Sequence, residues 1–129
     1  MRYLTNGKEL FVPAGGVIFK DADEVAEDAV YYVMEGKIRL SRQLESGYTF
    51  TYELSKDGVF GMVEAITSGI RFVTATAETN SQLYVWDKQS YETALSLYIE
   101  FAKLNIQALS HYLRAINQEA EKVWINYVR

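Results

Sequence analysis

Short apolar runs separated by glycine and polar turns make up the first two thirds of the chain. Val17–Phe19 follows the breaker Pro13–Gly16, and a denser run over Val30–Met34 ends at Glu35-Gly36. Runs of this length, rich in valine, isoleucine and tyrosine and bounded by turn residues, are typical of β-strands. The pattern therefore predicts several short strands before any helix.

The clearest pattern is the alternation over residues 37–54. Ile38 and Leu40 alternate with polar residues, and after the turn at 45–47 the residues Tyr48, Phe50, Tyr52 and Leu54 alternate with Thr49, Thr51 and Glu53. Period-2 alternation on both sides of a glycine turn predicts a hairpin of half-buried strands. With further strands expected at 71–77 and 83–86, residues 1 to about 86 are predicted to form a β-barrel or sandwich.

The pattern changes after Trp86, because residues 87–129 contain neither glycine nor proline. Asp87 or Ser90 is expected to cap a helix. One apolar row then repeats with spacings of 4 and 3, which is the seam of a coiled coil. A second row covers another face and fades after about residue 115. The first row is Leu95, Ile99, Ala102, Ile106, Leu109, Leu113, Ile116, Ala120, Val123 and Tyr127, and the second is Leu97, Phe101, Leu104, Ala108 and Tyr112.

A helix with two apolar faces can pack on its own barrel with one face and on a partner with the other. We therefore predict one long helix whose C-terminal half leaves the barrel and forms a two-fold homodimer. The interface residues expected for this dimer are Ile106, Leu109, Leu113, Ile116, Ala120, Val123 and Tyr127. A long helix lying only on its own barrel is the alternative.

The amino-acid composition argues against several classes of function. The 129 residues include no cysteine and a single histidine, His111, which argues against a disulfide framework, a multi-histidine metal centre and a histidine-based triad. The formal net charge is −4 and the basic residues are scattered, so no direct nucleic-acid contact is expected. There is neither a membrane-length apolar run nor a secretory signal, which favours a cytoplasmic protein.

Four segments carry a resemblance to a known family. They are Pro13–Phe19, Val30–Leu40, Asp57–Gly61 and Arg71–Ala77, which follow the patterns "aG-x-x-I-f", "l-Y-y-I-x-x-G-x-v-x-l", "x-G-x-f-G" and "R-[ST]-A-x-x-x-A". In order and spacing the chain resembles the cyclic-nucleotide-binding domain, in particular the sensor half of catabolite-activator and FNR-type bacterial regulators. The resemblance implies a single sensor domain over residues 1–129: a small antiparallel jelly-roll barrel (a double-stranded β-helix) followed by a long C-terminal dimerisation helix.

The resemblance also implies a ligand site formed by Gly61, Met62, Val63, Arg71, Phe72 and Val73. In the family a glycine turn leads into a short helix, an arginine holds the cyclic phosphate, a glutamate accepts from the ribose, and a small hydroxyl residue adds a phosphate contact. Gly61 and Arg71 match this pattern, but Met62 replaces the glutamate and Phe72 the hydroxyl residue. Glu64 lies inside the expected short helix and is expected to point away from the ribose position.

The implied effector is a cyclic nucleotide (cAMP or cGMP) or, given these departures, another small anionic molecule, with no metal or catalytic residue required. Arg71 has alternative interpretations as a solvated strand charge or as the partner of Glu64 or Glu53 in a surface pair. The turn "G-[DE]" of the family is replaced by residues 21–24, with a shift of two residues.

Three functions remain open from the sequence. The first is a small-molecule sensor domain. It either belongs to a transcription regulator whose DNA-binding domain would follow residue 129, so that these residues contact DNA only through that domain, or it is a stand-alone sensor that signals through its dimer helix. The second is a degenerate scaffold that acts by dimerisation alone, with Met62 and Phe72 plugging the site. The third is an enzyme of the similarly shaped cupins, whose metal is usually held by several histidines.

Overall fold

The structure is a computed structural model that describes the backbone of residues 1–128 and the side chains of residues 1–125. Tyr127, predicted as an interface residue, therefore lies outside the described side chains. The strands are β1 Lys8–Val12, β2 Val17–Phe19, β3 Val30–Glu35, β4 Ile38–Gln43, β5 Thr49–Leu54, β6 Val59–Phe60, β7 Thr74–Ala77 and β8 Ser81–Trp86. The helices are α1 Met62–Ile66, α2 Lys88–Leu97 and α3 Ile99–Val128.

The strands form two four-stranded antiparallel sheets, in the orders β1-β8-β3-β6 and β2-β7-β4-β5. The predicted hairpin is present, with Ile38 paired with Leu54 and Leu40 paired with Tyr52. The inward side chains of both sheets meet in one apolar core, which includes the fully buried Val33 and Leu83. This arrangement is the predicted jelly roll followed by helices. Strands β1 and β6 were not predicted, and β7 begins three residues later than expected.

The helical part differs from the prediction in one respect, because it consists of two helices and not one. Tyr98 has an extended backbone (φ −124°, ψ 105°) that ends α2, and its carbonyl accepts hydrogen bonds from the first turn of α3. Leu95 and Ile99 therefore lie on different helices, and the apolar row does not run unbroken from Leu95. The break lets Phe101 insert fully against Trp86 and Tyr91.

Side-chain hydrogen bonds fix the start of α2 and the position of α3. The Asp87 carboxylate accepts from the Ser90 N–H at 2.7 Å and caps α2, as predicted. Buried Asn105 on α3 accepts from the Tyr91 hydroxyl at 2.6 Å and donates to the Phe101 carbonyl. This polar bond inside an apolar cluster fixes α3 against α2 and so sets the direction in which α3 passes the barrel. No helix within residues 1–128 has the length and apolar character needed to cross a bilayer.

Candidate ligand site

The site is built on the glycine turn between β6 and α1. Gly61 has a left-handed backbone (φ 88°), and a Cβ there would come within 2.7 Å of the Ala29 carbonyl oxygen and 3.0 Å of an Arg71 nitrogen. Any other residue would therefore be strained and would clash. The turn leads directly into the five-residue helix α1, as the family pattern implies.

Arg71 lies inside the protein and is not a solvated strand charge. Its side chain is 1% exposed, and it donates from Nη1 to the Gly61 carbonyl and from Nη2 to the Ala29 carbonyl, both at 2.8 Å. The Phe19 ring covers the guanidinium, whose carbon lies 3.9 Å from the ring centroid. Neutral carbonyls and an aromatic face thus occupy most of the arginine's surroundings.

Among the residues that the structure describes, Arg71 forms one ion pair, with Glu64 of α1. Glu64 Oε1 lies 3.4 Å from Arg71 Nη1, and the Glu64 side chain is 5% exposed. The pair is therefore buried, in contrast to the surface pair considered from sequence, and Glu53 is not part of it. We call the assembly of Phe19, Ala29, Gly61, Glu64 and Arg71 the arginine clasp.

The segment that follows β2 closes the clasp from outside. The Ala22 N–H donates to the Arg71 carbonyl at 2.7 Å, and the Arg71 N–H donates to the Asp23 carbonyl at 2.8 Å. Ala22 adopts a left-handed backbone (φ 76°), a conformation that glycine favours. Backbone hydrogen bonds in both directions hold Arg71 in place from its main chain as well as from its side chain.

Almost no free space remains next to the clasp. The cavity lined by Gly61, Met62, Val63, Glu64 and Val73, together with Tyr112 of α3, has a volume of about 20 Å³. That is room for about one water molecule, whereas small-molecule pockets occupy about 300–1,000 Å³. The cavity lined by Gly61, Met62 and Val63 therefore has no room for a ligand the size of a cyclic nucleotide in this conformation.

A larger groove lies immediately beside it, between the β4–β5 hairpin and α3. It has a volume of about 520 Å³. Its walls are mainly apolar, with Arg42 and Glu119 as the charged residues among them. We call it the helix groove, and it is lined by Arg42, Leu44, Tyr48, Phe50, Phe72, Val73, Tyr112, Ile116, Glu119, Ala120, Val123 and Trp124.

Tyr112 lines both the small cavity next to the clasp and the helix groove. Its ring packs against Tyr52 and Phe50 at centroid distances of 5.0 and 6.2 Å. Burial, followed by the charge of Glu64, raises the pKa of Tyr112 to about 12, so its hydroxyl stays protonated at neutral pH. The Tyr112 side chain thus joins α3 to the hairpin, and the charge of Glu64 in the clasp contributes to its raised pKa.

The tip of the hairpin touches α3 at the far end of the helix groove. The Tyr48 hydroxyl donates a hydrogen bond to the Glu119 carboxylate, which also pairs with Lys122 at 3.3 Å. Helix α3 therefore stays in contact with the barrel as far as Glu119, further than the predicted departure at about residue 115. The second apolar row packs on the barrel only as far as Tyr112, so the bond between Tyr48 and Glu119 extends the contact beyond that row.

The predicted ligand residues divide between the two places. Gly61 and Arg71 belong to the clasp, Met62 and Val63 line the small cavity, Phe72 lines the helix groove, and Val73 lines both. Met62 is buried in the core cluster beneath the helices. Arg42, Tyr48, Glu119 and Trp124 were not predicted to line a ligand site, since nothing in the local pattern shows that the hairpin and the helix face each other.

The predicted interface residues from Ile106 to Val123 form an exposed stripe on α3. Ile106 is 64% exposed, Leu113 58% and Leu109 40%, and Ile116 and Val123 are similarly open. Ile116, Ala120 and Val123 also line the helix groove. His111 lies near this stripe, exposed, at the edge of a separate cleft of about 300 Å³. Within the described part of the chain, no three histidine or acidic side chains are placed to hold a metal ion.

Comparison with known proteins agrees with this architecture. The model of the cyclic nucleotide-binding domain matches residues 9–98. The chain therefore belongs to the cyclic nucleotide-binding domain family, which is a family of ligand-binding regulatory domains. No curated protein sequence matches the chain significantly.

Solved structures of transcription regulators share the fold. The catabolite activator protein of Thermus thermophilus superposes with a TM-score of 0.75 at 24% identity, over 95% of this chain and 57% of that one. The CO-dependent transcription factor CooA of Carboxydothermus hydrogenoformans gives 0.79 at 13% identity, over 97% and 53%. A transcriptional regulator of Thermotoga maritima gives 0.73 at 20% identity, over 99% and 97%. The chain thus spans little more than half of the first two proteins.

Proposed function

We propose that this chain is the effector-binding and dimerisation part of a transcription regulator of the catabolite-activator/FNR type. The helix groove carries this proposal, because one of its walls is the barrel and the other is α3. An occupant touches both elements at once, so it can favour one position of α3 over another. A change in α3 is then passed on to whatever this helix contacts, which in such regulators includes a partner copy and a DNA-binding domain.

The walls of the groove suggest a small anionic effector with an apolar or aromatic body. Phe50, Phe72 and Trp124 line the groove with aromatic rings, and Arg42, whose Nε lies 4.0 Å from Asp21 Oδ2, adds a half-exposed guanidinium for an acidic group. A cyclic nucleotide fits less well, because Arg71 is enclosed, Met62 has no carboxylate for the ribose and Phe72 has no hydroxyl for the phosphate. We therefore expect an effector other than cAMP or cGMP.

The exposed stripe of α3 supports the second half of the proposal. Large aliphatic side chains spaced by three and four residues and open to water are suited to knobs-into-holes packing with a second copy. Ile116, Ala120 and Val123 belong to both the stripe and the helix groove. A ligand in the groove would therefore act on the same residues as the dimer contact.

A degenerate dimerisation module is the second candidate. The cavity of about 20 Å³ lined by Gly61 and Glu64 supports it, because this cavity has no room for a family-type ligand. The helix groove of about 520 Å³ favours the sensor instead. The two functions differ in one property, namely whether any small molecule binds the groove.

Thermal unfolding and calorimetry with two sets of ligands test the effector proposal. We expect aromatic carboxylates such as benzoate, phenylacetate and indole-3-acetate to raise the melting temperature, and cAMP and cGMP to leave it unchanged. Ala120→Trp, which fills the groove, should remove the response, whereas Ala26→Trp, at an exposed alanine outside the groove, should keep it. If no aromatic carboxylate binds the unmodified protein, the degenerate module becomes the better account.

Sedimentation velocity tests the dimer. We expect the double variant Leu109→Glu/Leu113→Glu to sediment as a monomer with an unchanged helical circular dichroism signal, because two charges would enter an apolar contact. Gln118→Glu adds a charge to the same helix outside the stripe and should remain dimeric. A dimer that survives the double variant would place the contact elsewhere.

A further inference from the structure

The Arg71 side chain is suited to binding anions, yet it is buried. A guanidinium carries a permanent charge and a planar set of donors suited to carboxylates and phosphates. In the clasp, two of its donors face neutral backbone carbonyls, and Phe19 covers its face. Neither kind of contact cancels the positive charge, so burial of the arginine requires an anion within reach.

Glu64 supplies that anion from within the chain. Its Oε1 is 3.4 Å from Nη1, and both side chains are nearly inaccessible, so no solvent counter-ion is needed. No other ion pair involving Arg71 occurs among the described residues. The carboxylate is on α1, directly after the Gly61 turn, and thus approaches the guanidinium from the side of the small cavity.

We propose that Glu64 is a built-in anion: its carboxylate fills the position at which the Arg71 guanidinium would otherwise hold the anionic group of a ligand. The clasp is thereby complete without any ligand, and the unmodified protein does not bind phosphate-type anions at Arg71. Glu64 and Tyr112 of α3 line the same small cavity, so the carboxylate is on the side of the clasp next to α3. This proposal concerns the clasp alone and does not depend on what binds the helix groove.

The proposal predicts that removing Glu64 creates an anion site. Glu64→Ala leaves a buried cation and an empty volume beside it, so inorganic phosphate should bind there. At about ten times the dissociation constant, phosphate should raise the melting temperature by about 5 °C, measured against sodium chloride at equal ionic strength. If the variant is unfolded in chloride, it should instead fold as phosphate is added, which circular dichroism reports.

Two controls separate specific binding from the general stabilisation that phosphate gives to proteins. The unmodified protein and the double variant Glu64→Ala/Arg71→Met should show the same small response to phosphate, since neither has an unpaired buried cation. The proposal is supported if only Glu64→Ala shows the additional saturable rise or phosphate-dependent folding. It is overturned if Glu64→Ala responds no more than the double variant, whether it is folded throughout or unfolded at every phosphate concentration.

Discussion

The arginine clasp and the helix groove lie next to each other, and the chain passes from one to the other between Arg71 and Phe72. In the clasp, every contact of Arg71 is made within the protein, and about 20 Å³ of free space remains. In the groove, aromatic and aliphatic side chains line about 520 Å³ of open volume. Satisfied polar groups indicate a structural role, whereas exposed apolar surface indicates a binding role.

The contrast also separates the family motif from the open binding surface. The clasp contains the residues that match the family pattern, Gly61 and Arg71, and it is buried. The groove contains residues that no motif marks, yet it has the size and chemistry of a ligand site. The family motif therefore indicates the region of the ligand site, and the structure shows which part of that region is open to a ligand.

The largest expected effect is at Arg71. Arg71→Ala leaves Glu64 as an unpaired buried charge and opens a cavity, so we expect the free energy of unfolding to fall by about 3–5 kcal/mol. Urea denaturation followed by circular dichroism measures this change. Arg42→Ala removes a half-exposed arginine from the groove and should cost no more than about 1 kcal/mol. Equal effects at the two arginines would abolish the distinction between clasp and groove.

A smaller, opposite effect is expected at Ala22 in the segment that closes the clasp. Its left-handed backbone (φ 76°) costs a residue with a Cβ about 1–2 kcal/mol, which glycine avoids at the expense of a more disordered unfolded chain. Ala22→Gly should therefore stabilise the protein by up to about 1 kcal/mol in urea denaturation. Ala26→Gly, in the same segment without a positive φ, should destabilise it slightly. A loss of stability in Ala22→Gly would show that the turn is not strained.

Particular residues show which features of the fold and of the site could be predicted from the sequence. The alternation around Tyr48–Leu54 predicted the hairpin, because the side-chain period of a strand is local. For the same reason a cap was expected at Asp87 or Ser90, and the structure shows it at Asp87. The burial of Arg71 was not predictable, since it depends on Phe19, Ala29 and Glu64, which only the tertiary fold brings together. The break at Tyr98 was not predictable, because no glycine or proline lies near it and Phe101 meets Trp86 and Tyr91 only in the tertiary fold.

The smallest effect is expected at the tip of the groove, where Tyr48 meets Glu119. The hydrogen bond from Tyr48 lowers the pKa of the Glu119 carboxyl and raises the pKa of the Tyr48 hydroxyl. A lowered carboxyl pKa stabilises the fold above the ordinary carboxyl pKa, and the contribution is lost as the pH falls through the lowered value. The raised phenol pKa contributes below about pH 10 and is lost as the pH rises through the raised value.

Tyr48→Phe removes this hydrogen bond and tests the pH dependence directly. The urea midpoints of Tyr48→Phe and the unmodified protein should differ slightly at pH 7 and converge in acid, where Glu119 is protonated. Glu121→Gln, on the same helix but outside the groove, should not show this pattern. A difference that stays constant from neutral to acid pH would mean that the contact does not form in solution.

The central claim is that the groove binds ligands and the clasp does not. Methyl NMR spectra recorded during titration with 8-anilinonaphthalene-1-sulfonate, an apolar aromatic anion, and separately with cAMP, test it most directly. The account predicts saturable shifts of the Ile116, Ala120 and Val123 methyl signals with the aromatic anion, and no shift of Ala29 or Ala65 near the clasp with either compound. Saturable shifts of Ala29 and Ala65 with cAMP, while the groove signals stay unchanged, would contradict it.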